Sequence, residues 1–355
     1  MEFAYRFPVV KGTQANSEYY IAMVPLKNIA RLFPSDEEYV APEYRAQRKL
    51  NTTRIPAMCR YITENRNNYV FSALAASIDG AYRFIPTVEN DHLGILEVSM
   101  DAVLLINDGQ HRKAAIIEAL KEDATLQNET ISVVFYGDQG LARSQQMFTD
   151  LNKHAVKTSN SLATLYDTRD EIAVATKNVI DATPFFARYT DKERDVLGKN
   201  SSSLFTLNMI YKANQKILHG PRCSNEDVEF LLIFWKLVAS NITEWQEVYD
   251  RTLTKKALRE NYIVALAITI SAFGKLGRCF YDDRKLNMEE YLAKLQKIDW
   301  LRSNKMWVNR AIRENGKVLF SEEAVSLTCA LIKKEIGLPL TKEEKQKEKQ
   351  FTEKK

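Results

Sequence analysis

An α+β protein is the fold class this sequence predicts, with a layered α/β front unit and an all-α-helical rear unit. Three observations carry that reading. Strand-like and helix-like segments alternate up to about residue 157, as a layered unit requires. From Leu141 onward the apolar spacing is helical almost throughout. Glycine (12) and proline (9) are scarce among the 355 residues, which favours helices over a many-turned all-β fold. The expected boundaries are 1–157 for the α/β domain, 158–340 for the helical domain and 341–355 for a charged flexible tail, either a solvated frayed helix or disorder.

Taken in order, segment 19–25 is apolar and stops at Pro25, as a short strand does. Asn51-Thr52-Thr53 is a helix N-cap signal with Pro56 in the first turn. Met58, Tyr61 and Ile62 then recur at helical spacing. Segment 69–76 is apolar enough for a strand, Leu93–Met100 alternates, and Val103–Ile106 is a short apolar run. A helix over Arg112–Leu120 and a strand over Ile131–Tyr136 follow. The rear unit reads as helices over Arg143–His154, Asp170–Ala182, Ser201–Leu218, Asn225–Ala239, Lys256–Leu276 and Glu322–Ile336. Ser159-Asn160, Ser224 and Ser321 are their capping residues.

Composition sets limits on function. Hydrophobic residues make up 45% and charged residues 27% of the chain, which excludes a wholly disordered, collagenous or disulfide-dense protein. The net charge is +4, and six Lys against four Glu in Thr341–Lys355 supply +2 of it. Nucleic-acid binding therefore needs a local patch rather than a global excess. The four cysteines (Cys59, Cys223, Cys279, Cys329) are far apart, so no zinc knuckle is expected, and each reads as a buried free thiol in a reducing cytosol. The N-terminus lacks a signal-peptide pattern. The most apolar run, Tyr262–Phe273, is twelve uncharged residues, whereas a membrane span needs about 20. It reads as a buried helix. The protein is expected in the cytoplasm, away from membranes.

One segment carries chemistry: an apolar strand, then Asp108-Gly109-Gln110-His111-Arg112-Lys113 opening a helix. The free N–H groups of a first helical turn carry partial positive charge. Gly109 lets backbone approach closely, and His111, Arg112 and Lys113 add donors. This is an anion-binding construction suited to phosphate. Asp108 can cap the helix or orient His111. The bland alternative is an ordinary strand–turn–helix with solvated basic residues. Asn152 and Lys153, with Lys157-Thr158-Ser159, form a second polar corner, either a capped helix–helix junction or a phosphate contact that joins the first.

Asp108-Gly109-Gln110-His111-Arg112 reproduces the DGQHR signature of a bacterial protein family. The chain resembles in particular the DndB branch of that family, which is associated with DNA sulfur modification. Further similar stretches are Arg48-Lys49-Leu50-Asn51 leading into Ile55–Ile62, Met147–Ser159, Ile298–Asn304 with Trp307, and Tyr19–Met23 with Pro25. Together they cover roughly residues 1–335. The resemblance implies a front unit related to the ParB/sulfiredoxin fold, in which Gly109, His111 and Arg112 match a turn that holds nucleotide phosphates. ATP or CTP is the nucleotide so implied. It also implies a DNA-binding repressor of the gene cluster that installs phosphorothioate in DNA. Its partners would be operator duplex, DNA sulfur modification proteins and a second copy of the chain.

Basic residues elsewhere are candidates for DNA contact: Arg45, Arg48, Lys49 and Arg54; Lys157; and Arg302, Lys305 and Arg310, interleaved with Trp300 and Trp307. Their bland readings are solvated helix faces, with the two tryptophans as a helical core stripe. The loop holding Lys192, Arg194, Lys199 and Ser201–Ser203 is a weaker candidate. A rival reading is an enzyme, a nucleotide hydrolase or ParB-like nuclease using Asp108 and His111. Another is a partner-binding subunit in which the signature is only a turn. On the phosphate reading, Arg112→Ala weakens ligand binding by roughly 1.5–3 kcal/mol with little loss of stability.

Overall fold

The first two strands, β1 (Ala4–Gln14) and β2 (Ser17–Pro25), pair antiparallel through a turn at Ala15 and Asn16. Both turn residues have positive φ, 51° and 60°, as a two-residue hairpin connection requires. The computed structural model describes residues 3–34, 51–137, 146, 149–150, 158–198, 201–218 and 220–353. It divides into two compact units, Met1–Val156 and Lys157–Lys355.

The front unit is built on a seven-stranded sheet. Its further strands are β3 (Leu74–Asp79), β4 (Tyr82–Pro86), β5 (Leu93–Ser99), β6 (Val103–Asp108) and β7 (Thr130–Gly137), in the order β4-β5-β1-β2-β7-β3-β6. Within this sheet β3 and β7 pair in parallel and the other neighbours pair antiparallel. Strand alternation decides which face is covered. In β2, Tyr20, Ala22 and Val24 are buried while Ile21 and Met23 are exposed. The buried set joins Leu26, Ile29 and Leu32 of α1 (Leu26–Leu32), Cys59 and Ile62 of α2 (Ile55–Glu64), and Ala115, Ile116 and Ala119 of α3 (Gln110–Glu122) in one core. The predicted strands over 93–100, 103–106 and 131–136 are present, and the one over 69–76 begins at Leu74. β1 and β4 were not expected. Arg6, Pro8 and Lys11 interrupt the apolar run of β1, and β4 is an edge strand whose only half-buried residue is Phe84.

The rear unit is helical: α4 (Asn160–Tyr166), α5 (Glu171–Ala182), α6 (Pro184–Tyr189), α7 (Leu207–Ile217), α8 (Asn225–Ser240), α9 (Thr243–Tyr249), α10 (Lys255–Asn261), α11 (Ala267–Asp282), α12 (Met288–Leu292), α13 (Glu322–Glu335) and α14 (Lys342–Glu353). The expected caps form. Ser159 accepts from Leu162 N, Ser321 accepts from Ala324 N, and Ser224 makes a reciprocal capping box with Asp227. An aromatic cluster of Phe185, Phe186, Phe205, Trp235, Trp245 and Phe273 fills the core. Helices α7 and α11 cross closely at Gly274, where a Cβ would stand 2.7 Å from the Ala213 carbonyl oxygen.

Four expectations are corrected here. The helix predicted over 256–276 is broken between Asn261 and Ala267, because Ile263 N donates to Trp300 O and Arg302 N to Asn261 O at 2.9 and 2.8 Å. That segment pairs with another stretch instead of coiling on itself. The helix predicted from Ser201 starts at Leu207, after a short strand Phe205–Thr206 (β9) that pairs with Thr190–Asp191 (β8). Trp300 and Trp307 are not a helical stripe. Their rings stack at 5.4 Å across an irregular segment, and Trp307 Nε1 donates to Asp299 O. Finally, only Cys59 and Cys329 are buried, whereas Cys223 and Cys279 are half-buried, all four being free.

Candidate functional site

Strand β6 ends at Asp108, and Gly109 turns the chain into α3 at φ +108°. A Cβ at Gly109 would lie 2.4 Å from Leu74 Cδ2 and 3.3 Å from the Arg112 guanidinium. Only glycine meets both the left-handed backbone and the space. Among the described residues no side chain caps α3, and no acidic residue stands in its first turn, so its leading N–H groups form a positive pole.

The side chains that follow are turned onto the chain's own backbone. Arg112 donates to Ser72 O at 2.7 Å, to Ala73 O at 2.6 Å and to Ser72 Oγ, and it pairs with Asp108 at 2.7 Å. Its side chain is only 14% exposed. Arg112 therefore clamps the turn to the residues leading into β3, and Asp108 serves that clamp rather than capping α3 or orienting His111. Gln110 Nε2 donates back to Ile106 O and Asn107 O at 3.1 and 3.2 Å. Lys113 Nζ donates to Pro34 O at 3.3 Å.

His111 makes the contact that matters most for the shape of the site. Its Nε2 accepts the backbone N–H of Asn51 at 3.0 Å, which assigns the ring proton to Nδ1. Asn51 in turn caps the 3₁₀ turn Thr52–Arg54, which runs directly into α2. The starts of α2 and α3 are thus held side by side. Neither has an acidic residue in its first turn, and Arg54 is exposed beside them. Below the turn, buried Asn107 accepts from Ser77 Oγ at 2.9 Å, and its Nδ2 has no partner among the described residues.

The remaining predicted residues are divided. Lys305 is exposed on a short 3₁₀ turn, Lys305–Trp307. Arg302 is not presented as a free cation: it donates to Arg259 O at 2.8 Å and Tyr262 O at 3.3 Å. Arg310 is 7% exposed and is covered by α14, whose Glu348 it binds while also donating to Leu327 O at 3.0 Å. Lys192 pairs with Asp181. Arg45, Arg48, Lys49, Asn152, Lys153 and Lys157 lie outside the described residues, as does most of the expected 143–154 helix. Sequence reading missed Asn51, Ser72 and Asn107 as parts of the site. Asn107, next to Asp108 at the end of an apolar run, was the one with a local signal. Among the described residues no three His, Cys, Asp or Glu side chains are grouped to hold a metal ion, and no helix is long and apolar enough to cross a membrane.

The family model for DndB, described as DNA-sulfur modification-associated, matches residues 7–339, nearly the whole chain. The chain belongs to the DndB family. Its association with DNA sulfur modification follows from that membership. No curated protein and no solved structure matches it. The DndB match includes the Asp108–Lys113 turn, the turn at Asn51–Arg54 and the rear cations Arg302, Lys305 and Arg310. It ends just before α14.

Proposed function

We propose that this DndB-family chain is a cytoplasmic DNA-binding regulator, a repressor of the gene cluster for DNA phosphorothioation. One observation supports it above the rest: the His111–Asn51 hydrogen bond sets two helix starts, neither with an acidic residue in its first turn, side by side with Arg54 exposed next to them. Two positive helix poles and an exposed guanidinium suit a phosphate backbone. On this reading the Asp108–Lys113 turn contributes backbone N–H groups and its fixed shape. Arg112 acts by holding the turn, not by gripping the ligand. Operator recognition by a symmetric pair of chains is part of the proposal, as is the kinship of the front unit with the ParB/sulfiredoxin layer.

Fluorescence anisotropy of a labelled duplex from the gene's own upstream region tests this reading, with a scrambled duplex as control across a salt series. The upstream duplex is expected to bind more tightly at physiological salt. Arg54→Ala is expected to reduce the salt slope by about one. Equal affinity for both duplexes removes the operator reading, and an unchanged slope in Arg54→Ala removes this face as the contact.

A further inference from the structure

The C-terminal helix α14 is held to the rear unit in an unusual way. Its sequence, KEEKQKEKQFTE, has no apolar stripe. What seats it is charge. Glu344 pairs with Lys333 at 2.6 Å, and Glu348 pairs with both Arg310 and Lys334. The Phe351 ring lies 4.2 Å from the Arg310 guanidinium. Lys333 is 1% exposed, Arg310 7% and Glu348 5%. An open cleft of ≈ 160 Å³ lies beside the start of the helix, among Lys275, Ser326, Cys329, Thr341, Glu344 and Lys347.

The cations and carboxylates also differ in where they sit in the chain. Arg310, Lys333 and Lys334 are inside the family match, and the carboxylates that neutralise them are beyond its end at 339. We infer that the surface under α14 is a groove for a DNA backbone, and that α14 occupies it as an intramolecular competitor. The inference rests on the DNA-binding reading above and adds a second contact surface and its control. Glu344 and Glu348 stand about 6 Å apart along the helix axis, so the groove meets two anionic charges in succession, as a phosphate backbone presents them. Cations this enclosed are costly without a partner. Water and simple salt are poor replacements for α14, and another polyanion is a good one. A duplex that binds here displaces the helix.

Hydrogen exchange on the wild-type full chain tests the displacement, with and without saturating upstream duplex. Amides of 342–353 are expected to lose protection when duplex is bound, and unchanged protection overturns the proposal. In anisotropy, Glu344→Gln with Glu348→Gln is expected to tighten duplex binding about tenfold, as for removal of a competitor seated about 90% of the time. The exposed control Glu353→Gln is expected to leave affinity unchanged. A double variant that folds and binds no tighter than wild type also overturns the proposal. Should the double variant not fold, the wild-type exchange result decides alone. Should wild type bind no duplex, tight binding by the double variant supports the latch. Duplex binding with α14 still protected sinks the latch and leaves the regulator reading standing. Absence of binding by both proteins at low salt removes both.

Discussion

Arg112 shows how one residue's role depends on what surrounds it. The sequence places it at a helix start, where a guanidinium suits phosphate. In the structure it makes three hydrogen bonds to the 72–73 segment and an ion pair with Asp108. Arg112→Ala is therefore expected to destabilise the front unit by about 2 kcal/mol, the scale of losing charge-assisted hydrogen bonds from a mostly buried group. A shift in denaturant midpoint measures it. Arg112→Lys should recover little of the loss, since an ammonium cannot span the same acceptors. Gly109→Ala faces both a φ of +108° and Leu74 at 2.4 Å. A loss of at least about 2 kcal/mol is expected in the same assay. Near-wild-type stability of both alanine variants would contradict the clamp.

Among the elements, α14 should respond to pH in a defined direction. Burial pushes the Glu348 carboxyl up, but hydrogen bonds from Arg310 and Lys334 outweigh it and hold it below the ordinary 4.5. A depressed carboxylate stabilises the folded state above that ordinary value and stops doing so as pH falls through the lowered one. Burial pulls Lys333 down, and the Glu344 carboxylate more than restores it, leaving it above 10.5. Its contribution is full below 10.5 and fades as pH rises through the raised value. Protection of the 342–353 amides should therefore persist through neutral pH and collapse in acid below about 4.5. Collapse already at neutral pH would contradict this assignment. The helix start at Ser224 offers a separate check. Removing its capping box with Ser224→Ala should cost about 1 kcal/mol, read from a denaturant melt.

At the scale of the molecule, two separate cores predict two unfolding transitions. The front core gathers the sheet residues with α1 to α3, and the rear core gathers the aromatic cluster. Calorimetry should resolve both, with Gly109→Ala lowering one and Ser224→Ala lowering the other. One shared transition lowered by both substitutions would show that the cores unfold as a unit.

Local signals in the sequence determined the α+β class, the strands from 93 to 136, the caps at Asn51, Ser159, Ser224 and Ser321, and the glycine turn at 109. Each is decided within a few residues by alternation, side-chain reach or a forbidden φ, so no distant partner is needed to see it. Only the tertiary structure decided the rest. It broke the apolar run at 262–266 by pairing it with 300–302 and gave Arg112 to Ser72 and Ala73. It also joined His111 to Asn51 across sixty positions and turned a charged tail into a helix seated on buried cations. Those outcomes are hydrogen bonds and ion pairs between residues far apart in the chain. Their energies depend on burial and distance, which residue spacing does not encode.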